Sequence, residues 1–197
     1  MSIIVDKEKK RTDIACACKD ILLEYGIKNL TISHIAKTAG IGKGTVYEYF
    51  ENKEDIVFEI ISSFIVEHEK ELNKIVGLDI STKEKFFHFL YHLHMPDNCD
   101  QQLNIYREFI AISITTGTQE MIDFNIVCRK RFAHILQQIT QAGIDKGEIH
   151  KEAQGIVSAL ITFELGLIID THTAARDPKK DIETFLNSLF ILLERKG

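Results

Sequence analysis

The chain has 197 residues, with 24 Lys and Arg against 29 Asp and Glu, a formal net charge of −5, and 45% hydrophobic against 27% charged residues. That composition excludes a disordered chain, and the negative balance argues against a surface that coats nucleic acid or membrane at large, while leaving room for a local basic face. Two prolines and 11 glycines are too few for an all-β protein built from many tight turns, and favour long helices. The cysteines, Cys16, Cys18, Cys99 and Cys128, contain no C-x-x-C pair, so neither a zinc ribbon nor a thioredoxin-type motif is available. A reduced intracellular protein is expected. The apolar run at residues 3–5 is too short for a signal-peptide core. The most apolar segment, residues 156–169, is interrupted by Glu164 and falls short of the roughly 20 residues of a membrane span. These features predict a soluble, cytoplasmic protein with no membrane association.

Helical periodicity starts early. Ile14, Ala17, Cys18, Ile21, Leu22 and Tyr25 recur at steps of three and four, and Gly26 follows as a stop. Thr31 is placed to cap a short helix carrying Ile32, Ile35, Ala36 and Ala39. Gly40-Ile41-Gly42 breaks it, a second short helix runs over 43–50, and Asn52 caps a long one from 53 to about 75. Ser81 or Thr82 opens a helix rich in Phe, and residues 95–98 read as a turn. Helices follow over 100–115 and 119–143, with Gly147 marking a short connection, and then near 151–174 and 178–196. The last has a strong start signal in Asp177-Pro178, an N-cap carboxylate before proline at the first helical position. No stretch alternates with period two, so the reading is all-α with about nine helices.

Residues 31–55 carry the most information. Two short helices joined by a glycine-bearing turn make a helix-turn-helix. Ile35, Ala36 and Ala39 must meet Val46 and Phe50, and the small alanines let the helices cross closely. Gly40 supplies φ > 0 at the end of the first helix, and Ile41 plugs the angle. Lys43, Gly44, Thr45, Tyr47 and Glu48 are left pointing outward from the second helix. Any helical hairpin has a glycine turn and an outward polar face, so the pattern alone does not decide for DNA.

The segment also resembles the DNA-binding signature of TetR-type (tetracycline-repressor-like) transcriptional regulators. Thr31, Ile35-Ala36, Ala39-Gly40-Ile41, Lys43-Gly44-Thr45-Val46-Tyr47, Tyr49-Phe50, Lys53-Glu54 and Ile56 all fall where that signature has its Thr cap, I-A, A-G-V, K-G-T-L-Y, Y-F, K-E and L. The resemblance is dense over about 50 residues; beyond them it is one of length and helical plan. It implies a DNA-binding domain at 1–52 and a helical effector-binding and dimerisation domain at 53–197. It also implies DNA-binding roles for Thr31, Gly42, Lys43, Gly44, Thr45, Tyr47, Glu48, Tyr49 and Lys53. Lys43 would reach a base edge or phosphate at the start of the recognition helix. Thr45 and Tyr47 would offer hydroxyls to the backbone, with Tyr47 adding apolar surface for a thymine methyl. Tyr49 would pack partly inside and reach a phosphate, and Lys53 would add to the helix dipole opposite another. Two departures stand out: Gly42 replaces the capping Ser frequent in the family, and Glu48 puts a carboxylate on the reading face, to accept from cytosine N4 or to repel other sequences.

Charge partition agrees weakly. Residues 1–55 hold nine basic and nine acidic side chains, so the acidic excess lies elsewhere. Lys7, Lys9, Lys10 and Arg11 form a basic N-terminal arm, which either follows the phosphate backbone or is simply solvated. No catalytic residues and no cofactor are expected. The glycines around Lys43 lack P-loop spacing, and neither G-x-S-x-G nor H-E-x-x-H occurs. His88 and His92, four apart with His94 and Cys99 near, have metal-compatible spacing, but a third ligand is unproven and no metal site is assigned.

Family resemblance implies an effector cavity among the middle helices, and an apolar lining with a few polar groups suits one. The candidates are His88, His92, Tyr106, Phe109, Ser113, Phe124, Asn125, Cys128, Phe163 and Glu164, although most aromatic residues here must be ordinary core. Glu164 is the sole charge in an apolar helix, and must be paired, exposed, protonated or facing a cavity. In the last helix Ile182, Phe185, Leu186, Leu189, Phe190 and Leu193 form one stripe. The preceding helix is apolar on nearly all sides, so a partner's equivalent helices are the expected cover, closing a four-helix bundle in a homodimer. The expected function is therefore a homodimeric regulator released from a palindromic double-stranded operator by a small apolar or aromatic effector. The alternative is a small-molecule or metal-binding helical protein without DNA function.

Overall fold

A computed structural model of the chain describes residues 2–95 and 100–194. Within them lie ten α-helices: α1 (Ser2–Ala17), α2 (Lys19–Asn29), α3 (Ile32–Thr38), α4 (Lys43–Tyr49), α5 (Lys53–Val76), α6 (Thr82–Tyr91), α7 (Asp100–Thr115), α8 (Gln119–Asp145), α9 (Val157–Thr173) and α10 (Pro178–Leu193). Tight 3-10 turns occupy His92–His94 and Lys151–Ile156. The described residues contain no strand, only an isolated antiparallel bridge between Ile149 and Glu194. The all-α reading holds, with ten helices where about nine were expected. The first periodic segment is two helices because the backbone leaves helical geometry at Cys18, with ψ near 2°. Of the turn expected at 95–98, residues 96–98 lie outside the described residues, as does Cys99.

The helix starts follow from local chemistry. Thr31 caps α3, its side chain accepting from the His34 N–H at 3.2 Å. The Asn52 Oδ1 accepts from the Asp55 N–H at 2.8 Å at the head of α5. Ser81 and Glu84 form a reciprocal capping box on α6, and Asp177 accepts from the N–H groups of Lys179 and Lys180 on α10.

The chain packs as two compact units. One comprises residues 1–67 with 101–118, the other residues 68–100 with 119–197. The core of the first unit holds Ile14, Leu22, Leu30, Ile35, Val46, Phe50, Ile56 and Ile60, together with Phe109 of α7. Phe58 meets Phe109 edge-on, with ring centroids 5.9 Å apart. In the second unit α6 packs on α8 and α10, and α9 on α8. Phe86, Phe89, Leu136, Leu160, Leu167, Leu186 and Phe190 fill its core. Residues 151–173 are long and apolar enough to cross a membrane by composition, but here Leu160 and Leu167 from that stretch are core side chains.

Candidate functional site

The helix-turn-helix is built from the small set of contacts its sequence implies. Ile35 and Ala36 of α3 and Val46 of α4 are buried, as is Phe50 just after α4. Gly40 has φ 65°, and the turn closes with the Ile41 N–H on the Ala36 carbonyl at 3.0 Å and the Gly40 N–H on that of Lys37 at 3.3 Å. This is a Schellman closure, whose left-handed residue favours glycine. With Val46 and Phe50 turned inward, α4 presents Lys43, Gly44, Tyr47 and Glu48 to solvent; Tyr47 is 59% exposed. Thr45 and Tyr49 are half-buried. No atom outside its own neighbours lies within 4 Å of where a Gly44 Cβ would stand, so another backbone can approach there. Gly42 is the N-cap of α4 and supplies no side-chain cap. Thr31 is exposed, though its hydroxyl is already engaged in capping.

Two basic residues are placed differently from the sequence reading. The Lys53 ammonium donates to the carbonyls of Ile27 at 3.1 Å and Lys28 at 3.5 Å, so it braces the head internally instead of projecting toward a phosphate. Arg11 does not extend from a basic arm. Its guanidinium pairs with Asp55, donates to Glu59 at 3.2 Å and to the Tyr49 carbonyl at 2.7 Å, and lies 4.5 Å from the Phe50 ring centre. It thereby ties α1 and α5 to the C-terminal end of α4. Burial works against ionisation of Asp55, but Arg11 and the Glu51 N–H outweigh it and hold the carboxyl below its usual range. Lys7, Lys9 and Lys10 remain exposed on α1.

The candidate effector residues divide between the units. Tyr106, Phe109 and Ser113 lie on α7 in the first. Phe109 is fully buried in that core, and the Ser113 hydroxyl donates to the Phe109 carbonyl at 2.8 Å. His88, His92, Phe124, Asn125, Cys128, Phe163 and Glu164 belong to the second unit. There Phe163 stacks on Phe185 at 4.0 Å between centroids, which makes it a packing residue between α9 and α10. The Cys128 thiol is buried and pushed up to about 11, so it carries no thiolate at neutral pH. A groove of about 290 Å³ lined by Ser81, Lys83, Gly147, Glu148, Phe190 and Glu194 contains none of the candidates.

His92 does not pair with His88 but with His68 of α5, which the sequence reading missed. Their Nδ1 atoms are 2.8 Å apart, and the His68 ring meets Phe132 edge-on. Burial, and then the neighbouring His92, push His68 down to about 3; burial also lowers His92. The pair is therefore neutral, one imidazole donating to the other, and the buried Nε2 of His68 has no hydrogen-bond partner. A signal for His68 was present: it sits on the α5 stripe of Ile61, Ile65, Leu72 and Ile75, at steps of three and four. Among the described residues no cluster of three or more metal-ligating side chains forms.

Glu164 is buried on α9, and burial pushes its carboxyl up to about 8. Among the described residues it has neither a salt-bridge partner nor a hydrogen bond. Of the four states open to it, it takes the protonated one at neutral pH.

Residues 17–60 match the model of the family described as bacterial regulatory proteins, tetR family. The fatty acid metabolism regulator protein of Bacillus subtilis (strain 168) is 26% identical over 189 residues, covering 95% of each chain. The solved structure of the transcriptional regulator FadR from Bacillus subtilis in complex with stearoyl-CoA superposes with a TM-score of 0.64 at 24% identity, over 91% of this chain and 95% of that one. A TetR-family regulator from Cytophaga hutchinsonii superposes with a TM-score of 0.73 at 16% identity, over 98% of both chains. At these identities the two structures establish a common fold.

Proposed function

The chain belongs to the TetR-type family of transcriptional regulators, and from that premise we propose that it is a homodimeric repressor released from a palindromic operator by a small apolar effector. The observation that carries the reading is the outward face of α4. A lysine at its first turn, a glycine open to close approach and an exposed tyrosine lie opposite a buried Val46. Such a helix can enter a major groove while α3 crosses the backbone. Lys43 contacts phosphate or a base edge, Tyr47 and Thr45 the backbone, and Glu48 selects among base pairs. The functional boundary falls at 52/53, where α5 leaves the head. The protein acts in the cytoplasm and is not an enzyme. The effector engages the neutral polar groups of an otherwise apolar interior, Glu164 and His92 among them. Its binding shifts the population toward a conformer whose two heads are wrongly spaced for DNA. The stearoyl-CoA bound by the Bacillus subtilis regulator makes that compound a first probe.

Selection from random duplex DNA supplies the operator for the test. The selected sequence is expected to be an inverted repeat with half-sites about 34–36 Å apart or a multiple of that. Lys43→Ala and Tyr47→Ala should each weaken binding without lowering the melting temperature. Lys43→Ala should also flatten the dependence of log K on log salt by about 0.9. Unchanged affinity and slope in both variants would remove α4 from the interface.

A further inference from the structure

Just ahead of the helix-turn-helix, Gly26 takes φ 75° and interrupts α2. The turn that resumes at Ile27 begins with N–H groups that have no carbonyl one turn earlier to bond. No Ser, Thr, Asp or Asn stands at 25 or 26 to cap them. The acceptor comes from 80 residues away. Glu108 of α7 takes the Ile27 N–H on Oε2 at 2.8 Å and the Lys28 N–H on Oε1 at 2.9 Å. The fit is close enough that a Cβ at position 26 would stand 2.8 Å from Oε2. The carbonyls of the same two residues are held from the other side by Lys53, at 3.1 and 3.5 Å. A two-residue segment is thus gripped by its N–H groups from α7 and by its C=O groups from α5. Beyond it come the buried Leu30 and then Thr31, the cap of α3.

We infer that Glu108 is a positioning residue for DNA recognition: through its two hydrogen bonds α7 sets the pose of the helix-turn-helix, and so operator affinity, without touching DNA. Charge-assisted bonds from a carboxylate to two adjacent N–H groups are strong and directional. A displacement of α7 therefore reaches the entry to α3 through them. The same helix carries Tyr106, Phe109 and Ser113, so an effector that shifts α7 moves the grip on the head. The inference rests on the reading that α4 enters DNA.

The test uses the full chain and the operator selected by the wild type. Glu108→Ala should bind that operator about tenfold more weakly, and Glu108→Gln, which keeps one acceptor, should fall between. The salt slope should stay at the wild-type value in both, because no phosphate contact is lost. The Ile27 and Lys28 amides should exchange faster with solvent, while amides within α3 and α4 keep their protection. Wild-type operator affinity in Glu108→Ala would overturn the proposal alone. So would an affinity loss that merely tracks a fall in melting temperature across both variants. A wild-type protein that selects no DNA sequence would overturn the DNA reading, and this inference with it.

Discussion

At the level of single residues, Glu164 has the clearest consequence. Its carboxyl titrates near 8 in the folded chain against 4.5 for a free glutamate, so folding favours the neutral form. The stability this contributes is fully present below about 4.5 and is lost as the pH rises from there through 8. Glu164→Gln stays neutral in both states and escapes that loss. The variant should melt with the wild type below about pH 4 and several degrees above it at pH 8, as scanning calorimetry would read. A wild type that melts higher at pH 8 would mean that a cation pairs with the ionised carboxylate after all. The sequence made Glu164 conspicuous because one charge interrupts residues 156–169. It could not do the same for Lys53, Arg11 or Glu108. Each bonds to a backbone carbonyl, a backbone N–H or a carboxylate 25 to 81 positions away, and long-range polar pairing leaves no periodic trace along a chain.

Among the elements, the boundaries that depend on local chemistry were legible: the caps at Thr31, Asn52, Ser81 and Asp177 start helices as expected. Gly143 was misleading. The sequence pattern ends α8 there, yet the helix continues to Asp145, and it is Gly147, with φ 74°, that turns the chain. Gly143 serves packing instead. A Cβ there would fall on the Thr82 side chain, 2.9 Å from its Cγ2 and closer still to its hydroxyl. Thr82 has no room to yield, being buried and donating from both N and Oγ1 to Glu148, at 2.6 and 2.7 Å. Burial disfavours the Glu148 carboxylate, but the two Thr82 bonds, with Lys146 and Lys85, hold it below its usual range. Gly143→Ala must therefore part α8 from the start of α6 or break that bond pair. It should destabilise the protein by about 1–3 kcal/mol despite the better helix propensity of alanine. Urea unfolding would measure it, and a variant as stable as the wild type would show that the contact relaxes freely.

For the whole molecule the question is what a second copy would cover. Periodicity makes α9 apolar on nearly all sides, which predicts a partner to cover the excess. Within the second unit, however, Val157, Leu160, Ile161, Leu167 and Ile168 of α9 are all buried, and Phe163 stacks on Phe185. On α10, Ile182, Leu186 and Phe190 are buried, with Phe185, Leu189 and Leu193 packed against the same core. The stripe read as a dimer seam is thus largely the protomer's own core; helical spacing identifies an apolar face but not which neighbour it meets. What α9 leaves exposed includes a row of mostly small residues, Ser158, Ala159, Thr162, Gly166 and Ile169, with Asp170, His172 and Thr173 at its C-terminal end. On α10 the exposed row is Thr184, Ser188 and Ile191, with Leu192 beside it. Arg129 donates to the Ser158 carbonyl and hydroxyl and to the Thr162 hydroxyl at the start of the α9 row, and Ile191 and Leu192, 73% and 76% exposed, are the most exposed large apolar groups on these two helices. These two helices can still close a four-helix bundle across a two-fold axis, through this outer surface. Ile191→Glu should then dissociate the dimer at micromolar concentration in sedimentation velocity, with the monomer's melting profile intact. Operator binding should fall with it, since one head reads only half of an inverted repeat. Leu189→Glu should instead lower the melting temperature, because Leu189 packs on the core. If Ile191→Glu stays dimeric, the two-fold axis runs through another surface; if the wild type is itself a monomer, the paired-head mechanism fails.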